Sequence, residues 1–175
     1  MTSDKTLARK AAQNPKAFGE LFDRYSLKVY QYTYSRVHHH ETAEDITSQV
    51  FHDAFEGISH YKPIGPFAAW LFTIARRRIA DFFRRANSTD ELPDNLPQAS
   101  RGILDTVIEE ESLRNLERHL QALNEEEREL IRLRFAAEMR YKDIAALVDK
   151  TPGAVKMAIY RLLDRLKENM EKTDG

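Results

Sequence analysis

An all-α fold is what this sequence predicts: two small helical domains joined by a flexible linker, the C-terminal one a helix-turn-helix. Three observations predict it. Apolar residues recur at helical spacing along most of the chain, and no strand or internal repeat is convincing. The stretch from Asn87 to about Gly102, NSTDELPDNLPQASRG, breaks that pattern with two prolines, several acids and few large apolar residues. The stretch Arg140 to Lys167, RYKDIAALVDKTPGAVKMAIYRLLDRLK, reads as two short helices around a tight turn. The domains are accordingly drawn at residues 1–86 and 113–175, with an acidic linker at 87–112 that carries seven acids and one base.

Taken in order, residues Met1 to Gln13 are polar and are expected to fray. Asn14 then caps a helix with Pro15 at its first position, and Phe18, Leu21, Phe22, Tyr25, Val29 and Tyr32 form its apolar face up to about Val37. His38, His39 and His40 follow as a polar helix terminus; neighbouring imidazoles diverge, so no metal site is expected from them alone. Thr42 is expected to cap a second helix, with Glu44 and Asp45 in its first turn. Ile46, Val50 and Ala54 make one apolar row on it, and Phe51, Phe55 and Ile58 another, which implies burial on two sides or one row kept for a partner. Ser59 to Pro66 is a loop by its two prolines and one glycine.

A third helix spans about Phe67 to Ala86. Phe67, Trp70, Leu71, Ile74, Ile79, Phe82 and Phe83 give it bulk. Arg76, Arg77, Arg78, Arg84 and Arg85 crowd its second half against the single acid Asp81. A helix C-terminus favours basic residues anyway, but five arginines among aromatics exceed that need. Arginine pairs with phosphate and aromatic rings stack on unpaired bases, so nucleic-acid contact is favoured over a merely solvated face.

Beyond the linker, a fourth helix is expected from about Ile103 to Ala122. A fifth is capped by Asn124, with Glu127 completing a capping box. Leu130, Ile131, Leu133 and Phe135 are expected to pack it under the helix-turn-helix. In that motif Tyr141–Val148 is the first helix, Asp149 takes the turn position that needs positive φ, and Thr151 caps a second helix opening at Pro152. Val155, Ile159, Leu162 and Leu166 form its buried stripe; Lys156, Met157, Tyr160, Arg161 and Arg165 lie on the other face.

Composition narrows the function. The 175 residues include no cysteine, which excludes disulfides and thiolate metal sites and suits a reducing cytoplasm. No secretory segment or membrane-length apolar run is seen, so a cytoplasmic chain with no membrane insertion is expected. The net charge of −1 is low for a lone nucleic-acid binder, so binding is either local to patches or assisted by a partner. No cluster of acids or histidines suits acid–base or metal catalysis, so no enzyme, cofactor or metal is expected.

Taken together, the tracts AEDITSQVFHDAF (Ala43–Phe55), FAAWLFTIARRRIADFFRR (Phe67–Arg85) and LNEEERELIRLRF (Leu123–Phe135) ahead of the helix-turn-helix resemble the extracytoplasmic-function (ECF) sigma factors of bacterial RNA polymerase. The resemblance implies a promoter-specificity subunit. Its implied partners are core RNA polymerase, through the β′ clamp helices and the β flap, promoter DNA, and an anti-sigma factor as a further candidate. Glu44, Asp45, Gln49 and Phe51 would lie at the polymerase interface. Ser59, His60, Tyr61, Lys62, Trp70, Arg76, Arg77, Arg84 and Arg85 would meet the minus-ten element, where a base is flipped into the loop before the third helix. Thr151, Gly153, Lys156, Met157, Tyr160, Arg161 and Arg165 would meet the minus-thirty-five element. The chain departs from the family pattern at Ser48-Gln49, where Gln followed by an acid is common, at Arg77, where Asn is common, and at Met157, Ala158, Leu163 and Asp164 on the recognition helix. The alternative is a stand-alone helix-turn-helix regulator whose N-terminal half binds a ligand or dimerises.

Overall fold

A computed structural model describes residues 2–62, 64–88 and 116–173, and among these every regular element is helical. The expected linker and most of the expected fourth helix lie outside the described residues; of that helix, residues 116–121 are helical.

The first element corrects the sequence reading. Residues expected to fray form α1, Asp4–Ala11, capped by Ser3, whose hydroxyl accepts from the Thr6 amide. Its inner face is small: Leu7, Ala8 and Ala11 are buried. Polar ties complete the docking, because the Asp4 carboxylate accepts from the Tyr25 hydroxyl at 2.6 Å and from Arg24 at 2.7 Å.

Helix α2, Pro15–Val37, opens as expected on Asn14, whose side chain accepts from the Lys16 amide. It ends at His38, in the left-handed region at φ 54°. Helix α3, His40–Gly57, begins earlier than expected because His39, not Thr42, is the N-cap: its Nδ1 accepts from the Thr42 amide at 3.3 Å. Two histidines thus make the whole connection, and α2 and α3 pack as a hairpin. A 3₁₀ turn, Ile58–His60, leads towards α4, Phe67–Ser88, which packs on α2 and α3. Leu21, Val29, Tyr32, Val50, Leu71, Phe72 and Ile79 are all at most 1% exposed at the centre of this unit. Each such side chain contributes about 1.5–3 kcal/mol by leaving water.

In the C-terminal unit, α5 (Glu125–Ile131) carries the expected capping box between Asn124 and Glu127. It runs directly into a π turn, Arg132–Ala136, in which the Ala137 amide donates to the Arg132 carbonyl. The extra residue in that turn changes the helix phase. Phe135, expected in the core, is 54% exposed, and Ala137 and Met139 are buried instead. Helix α6, Tyr141–Val148, and helix α7, Pro152–Thr173, form the expected helix-turn-helix, with Asp149 at φ 54° in the turn. Val155, Ile159, Leu162 and Leu166 are buried, and α7 packs on α6 and α5.

The two units touch. Helix α6 packs on α4, and α2 packs on the π turn. Among the described residues no helix is long and apolar enough to cross a membrane.

Candidate nucleic-acid interface

The aromatic end of α4 is built with the loop before it. Phe67, the first residue of α4, is buried. Its ring meets Trp70 at 5.6 Å and Tyr61 at 5.8 Å, while Tyr61 and Trp70 approach at 5.1 Å. The Tyr61 hydroxyl donates to the Gly65 carbonyl at 3.1 Å and pins the loop's far side. Burial, with Asp4 nearby, pushes the Tyr61 phenol up, so it stays a donor near neutral pH. Ser59, His60 and Lys62 are exposed on the near side, and Ile64 is 90% exposed at the tip. Loop and ring cluster together form a rim of hydrogen-bonding and stacking groups.

The arginines of α4 are not equivalent. Arg78 is turned inward onto α3, its Nε donating to Asp53 at 2.6 Å and its Nη2 to the other carboxylate oxygen. The hydrogen bonds from Arg78 hold the Asp53 carboxyl below its ordinary range. Arg84 pairs with Asp81 at 2.8 Å on the helix surface. Arg76 reaches Glu129 on α5 at 3.3 Å. Arg77 is exposed and forms no ion pair among the described residues. Arg85 is also exposed.

Helix α7 presents its basic side outward. The Thr151 hydroxyl accepts from the Ala154 amide at 3.2 Å and fixes the helix start. Thr151, Gly153, Lys156 and Arg161 are exposed, as are Met157 and Tyr160 at 50% and 44%. Lys156 sits 5.5 Å above the Tyr160 ring, and Tyr141 meets Tyr160 edge-on. Arg165 is tied to Glu127 of α5 at 2.8 Å, so it fastens α7 to the domain beneath while half exposed. That hydrogen bond also holds the Glu127 carboxyl below its ordinary range.

On α3, Glu44, Asp45 and Gln49 are exposed on the surface, but Phe51 is only 5% exposed. Its ring is covered by Phe22 at 4.7 Å and flanked by Phe18, and it is Phe22 and Phe55 that face solvent. His52, Asp53 and Glu56 are close enough for a cation, but Asp53 is already held by Arg78.

Sequence patterning missed one cluster. Glu129 of α5 is 7% exposed and receives the Tyr32 hydroxyl at 2.6 Å and Arg36 at 3.0 Å. Burial, with the Glu129 carboxylate beside it, pushes the Tyr32 phenol well above its ordinary range. No local signal marks Glu129, since it follows a run of acids, Glu125 to Glu127, in a capped first turn.

Comparison with known proteins agrees with this division into two units. A family model for Sigma-70 region 2 matches residues 21–89, and one for Sigma-70 region 4 matches residues 113–166. The ECF RNA polymerase sigma factor BldN of Streptomyces coelicolor is 36% identical, over 90% of this chain and 62% of that protein. The ECF RNA polymerase sigma factor SigD of Mycobacterium tuberculosis is 30% identical, over 95% of this chain and 83% of that protein. The chain thus spans less than two thirds of the first relative and most of the second. Among solved structures, CnrH in complex with the cytosolic domain of CnrY matches with a TM-score of 0.68 at 24% identity, over 98% of this chain and 99% of that one. The sigma factor RpoE in complex with the anti-sigma factor NepR from Bartonella quintana matches with a TM-score of 0.61 at 24% identity, over 89% and 98%. At these identities the likeness to the solved structures is one of fold.

Proposed function

The chain belongs to the ECF sigma factors of bacterial RNA polymerase, and from that premise we propose that it binds core polymerase in the cytoplasm and directs initiation at its own set of promoters. The observation that supports this reading is the presence of two unlike surfaces on two units, each of a chemistry suited to DNA. One is a ring cluster and loop at the head of an arginine-bearing helix. The other is an outward basic face on the second helix of a helix-turn-helix.

The first surface suits unpaired DNA. Tyr61 and Trp70 offer rings for stacking, Ser59, His60 and Lys62 offer donors at the loop, and Arg77, Arg84 and Arg85 offer charge for phosphate. Stacking of about 1–3 kcal/mol per base offsets the few kcal/mol of unstacking, so melting needs no nucleotide hydrolysis. The second surface suits the major groove, where Lys156, Tyr160 and Arg161 reach base edges and Thr151 with the first amides of α7 meets phosphate. Docking on the polymerase is assigned to Glu44, Asp45 and Gln49, with Phe51 supporting them from beneath. An anti-sigma factor is a further candidate partner. No step calls for a catalytic group.

The test is run-off transcription on fragmented genomic DNA with bacterial core polymerase, with and without the protein. Discrete protein-dependent transcripts are the expected result. No transcripts and no binding to core polymerase, together with tight binding to duplex DNA alone, would replace this reading with that of a stand-alone regulator.

A further inference from the structure

Helix α1 lies behind the loop that precedes α4. It packs on α2, on the Ile58–His60 turn and on α4. The contact with the turn bears on function, because Ser59 and His60 stand at the rim assigned to unpaired DNA. An eight-residue helix is marginal by itself. Leu7, Ala8 and Ala11 are its buried residues, an apolar face too small to place it closely. What fixes its position is polar. The Asp4 carboxylate accepts from the Tyr25 hydroxyl at 2.6 Å through one oxygen and from Arg24 at 2.7 Å through the other. Arg24 also donates to the Thr2 carbonyl at 2.8 Å, just ahead of the helix. Tyr25 is 9% exposed. Burial and the hydrogen bond to Asp4 push its phenol well above the ordinary range, so it remains a donor at neutral pH.

From Tyr25 the contacts lead to the rim. Its ring meets Phe67 at 5.5 Å, and Phe67 in turn carries Tyr61 and Trp70. Asp4 is near enough to Tyr61 for its charge to act on that phenol. Phe67 has no polar atom to anchor its ring, so its place depends on what packs against it. Tyr25 is anchored, by the bond to Asp4. We propose that Asp4 and Tyr25 are positioning residues for promoter opening. The strut Asp4–Tyr25–Phe67 holds Tyr61 and Trp70 where an unpaired base can stack on them, and α1 carries the strut's fixed end. The inference rests on the loop and ring cluster being the minus-ten surface. Neither residue meets DNA in this arrangement: Tyr25 is covered, and a carboxylate at Asp4 would repel phosphate. Their effect passes through Phe67.

The test uses holoenzyme assembled from the full chain and bacterial core polymerase, on a promoter supplied by run-off transcription. Two fluorescent single-stranded minus-ten oligonucleotides are compared, identical except that one has an abasic site at the captured base. The ratio of their affinities measures capture of that base alone. Tyr25→Phe keeps the ring and removes only the hydroxyl, so the core stays filled; Asp4→Ala removes the acceptor. Each should lower the ratio by about threefold to tenfold, the equilibrium factor of one net hydrogen bond, with the abasic oligonucleotide bound as before. Adding Tyr25→Phe to Asp4→Ala should cost nothing further, since both cut the same bond. Trp70, the one tryptophan of the chain, gives a second readout without DNA: acrylamide should quench it more readily in both variants. Equal weakening of the two oligonucleotides would mean that the pair merely holds the fold, and would overturn the proposal. An unchanged ratio or unchanged quenching would overturn it as well. If the unaltered holoenzyme binds both oligonucleotides alike, the minus-ten assignment itself fails, and the strut's role in opening falls with it.

Discussion

Helix α4 and helix α7 have the same number of residues, 22 each, and both carry arginine, yet they place the charge among different neighbours. On α4, Arg78, Arg84 and Arg76 are matched to carboxylates from three different places: Asp53 on α3, Asp81 on the same helix and Glu129 on α5. Of the two arginines of α7, Arg165 is paired with Glu127, while Arg161 forms no ion pair among the described residues. A count of arginines therefore overstates the free charge of both helices, on α4 through pairs to three elements and on α7 through the single tie of Arg165 to α5. The physical reason is position. Helix α4 lies between α2, α3 and α6, and its charges meet neighbours; one whole side of α7 meets only water.

The comparison can be broken most forcefully from beneath α7. Ile159 is fully buried, and Ile159→Ala should destabilise the C-terminal unit by about 2–5 kcal/mol, read as an earlier urea transition. Tryptophan fluorescence, which reports the N-terminal unit through Trp70, should move less. Coincident shifts of both signals would show that the two units unfold as one.

Next in size, Arg161→Ala should cost about 1–3 kcal/mol of minus-thirty-five-dependent initiation if that guanidinium reads a base edge. An equal loss on every promoter would make Arg161 a phosphate contact, and the outward face of α7 an electrostatic surface only.

The paired character of α4 is sharpened by Asp53→Asn, which should cost about 1–2 kcal/mol at pH 7 because a charge-assisted pair with Arg78 is lost. The sign with pH follows from the depressed carboxyl. Its contribution is fully present above the ordinary carboxylate range and disappears as pH falls through the lower folded value. The stability gap between the two proteins should thus be level from pH 7 to pH 5 and narrow at pH 3. A gap that stays constant to pH 3 would mean that Asp53 contributes by packing.

The smallest expected effect is at the cap. Asn124→Ala should lower stability by about 1 kcal/mol through loss of the Glu127 amide bond, with little effect on DNA binding. A change in promoter preference from that variant would connect α5 to recognition directly.

What could be read from the chain alone was whatever its local chemistry writes. Pro152 after Thr151, Asp149 in a left-handed turn and Asn124 three residues before Glu127 fix elements within one turn of themselves, and each stands where expected. Helix α1 was missed because its buried face is made of Leu7 and two alanines, too little bulk for a periodic signal, although Ser3 with Asp4 was a legible start. Phe135 was misplaced because helical spacing assumes 3.6 residues per turn and the backbone there is wider. Glu129 could not have been found by spacing at all, since its partner Tyr32 lies 97 residues away.

The π turn at Arg132–Ala136 has a consequence for how this part of the molecule can change over generations. A turn that holds one residue more than an α-helix sets a fixed rotational offset between α5 and the reading head that follows it. Exchanging one side chain for another at Phe135, more than half exposed, leaves that offset alone. Removing a single codon there would swing the helix-turn-helix by about 100°, one residue's share of a helical turn. Length, more than identity, is what inheritance must preserve in this segment.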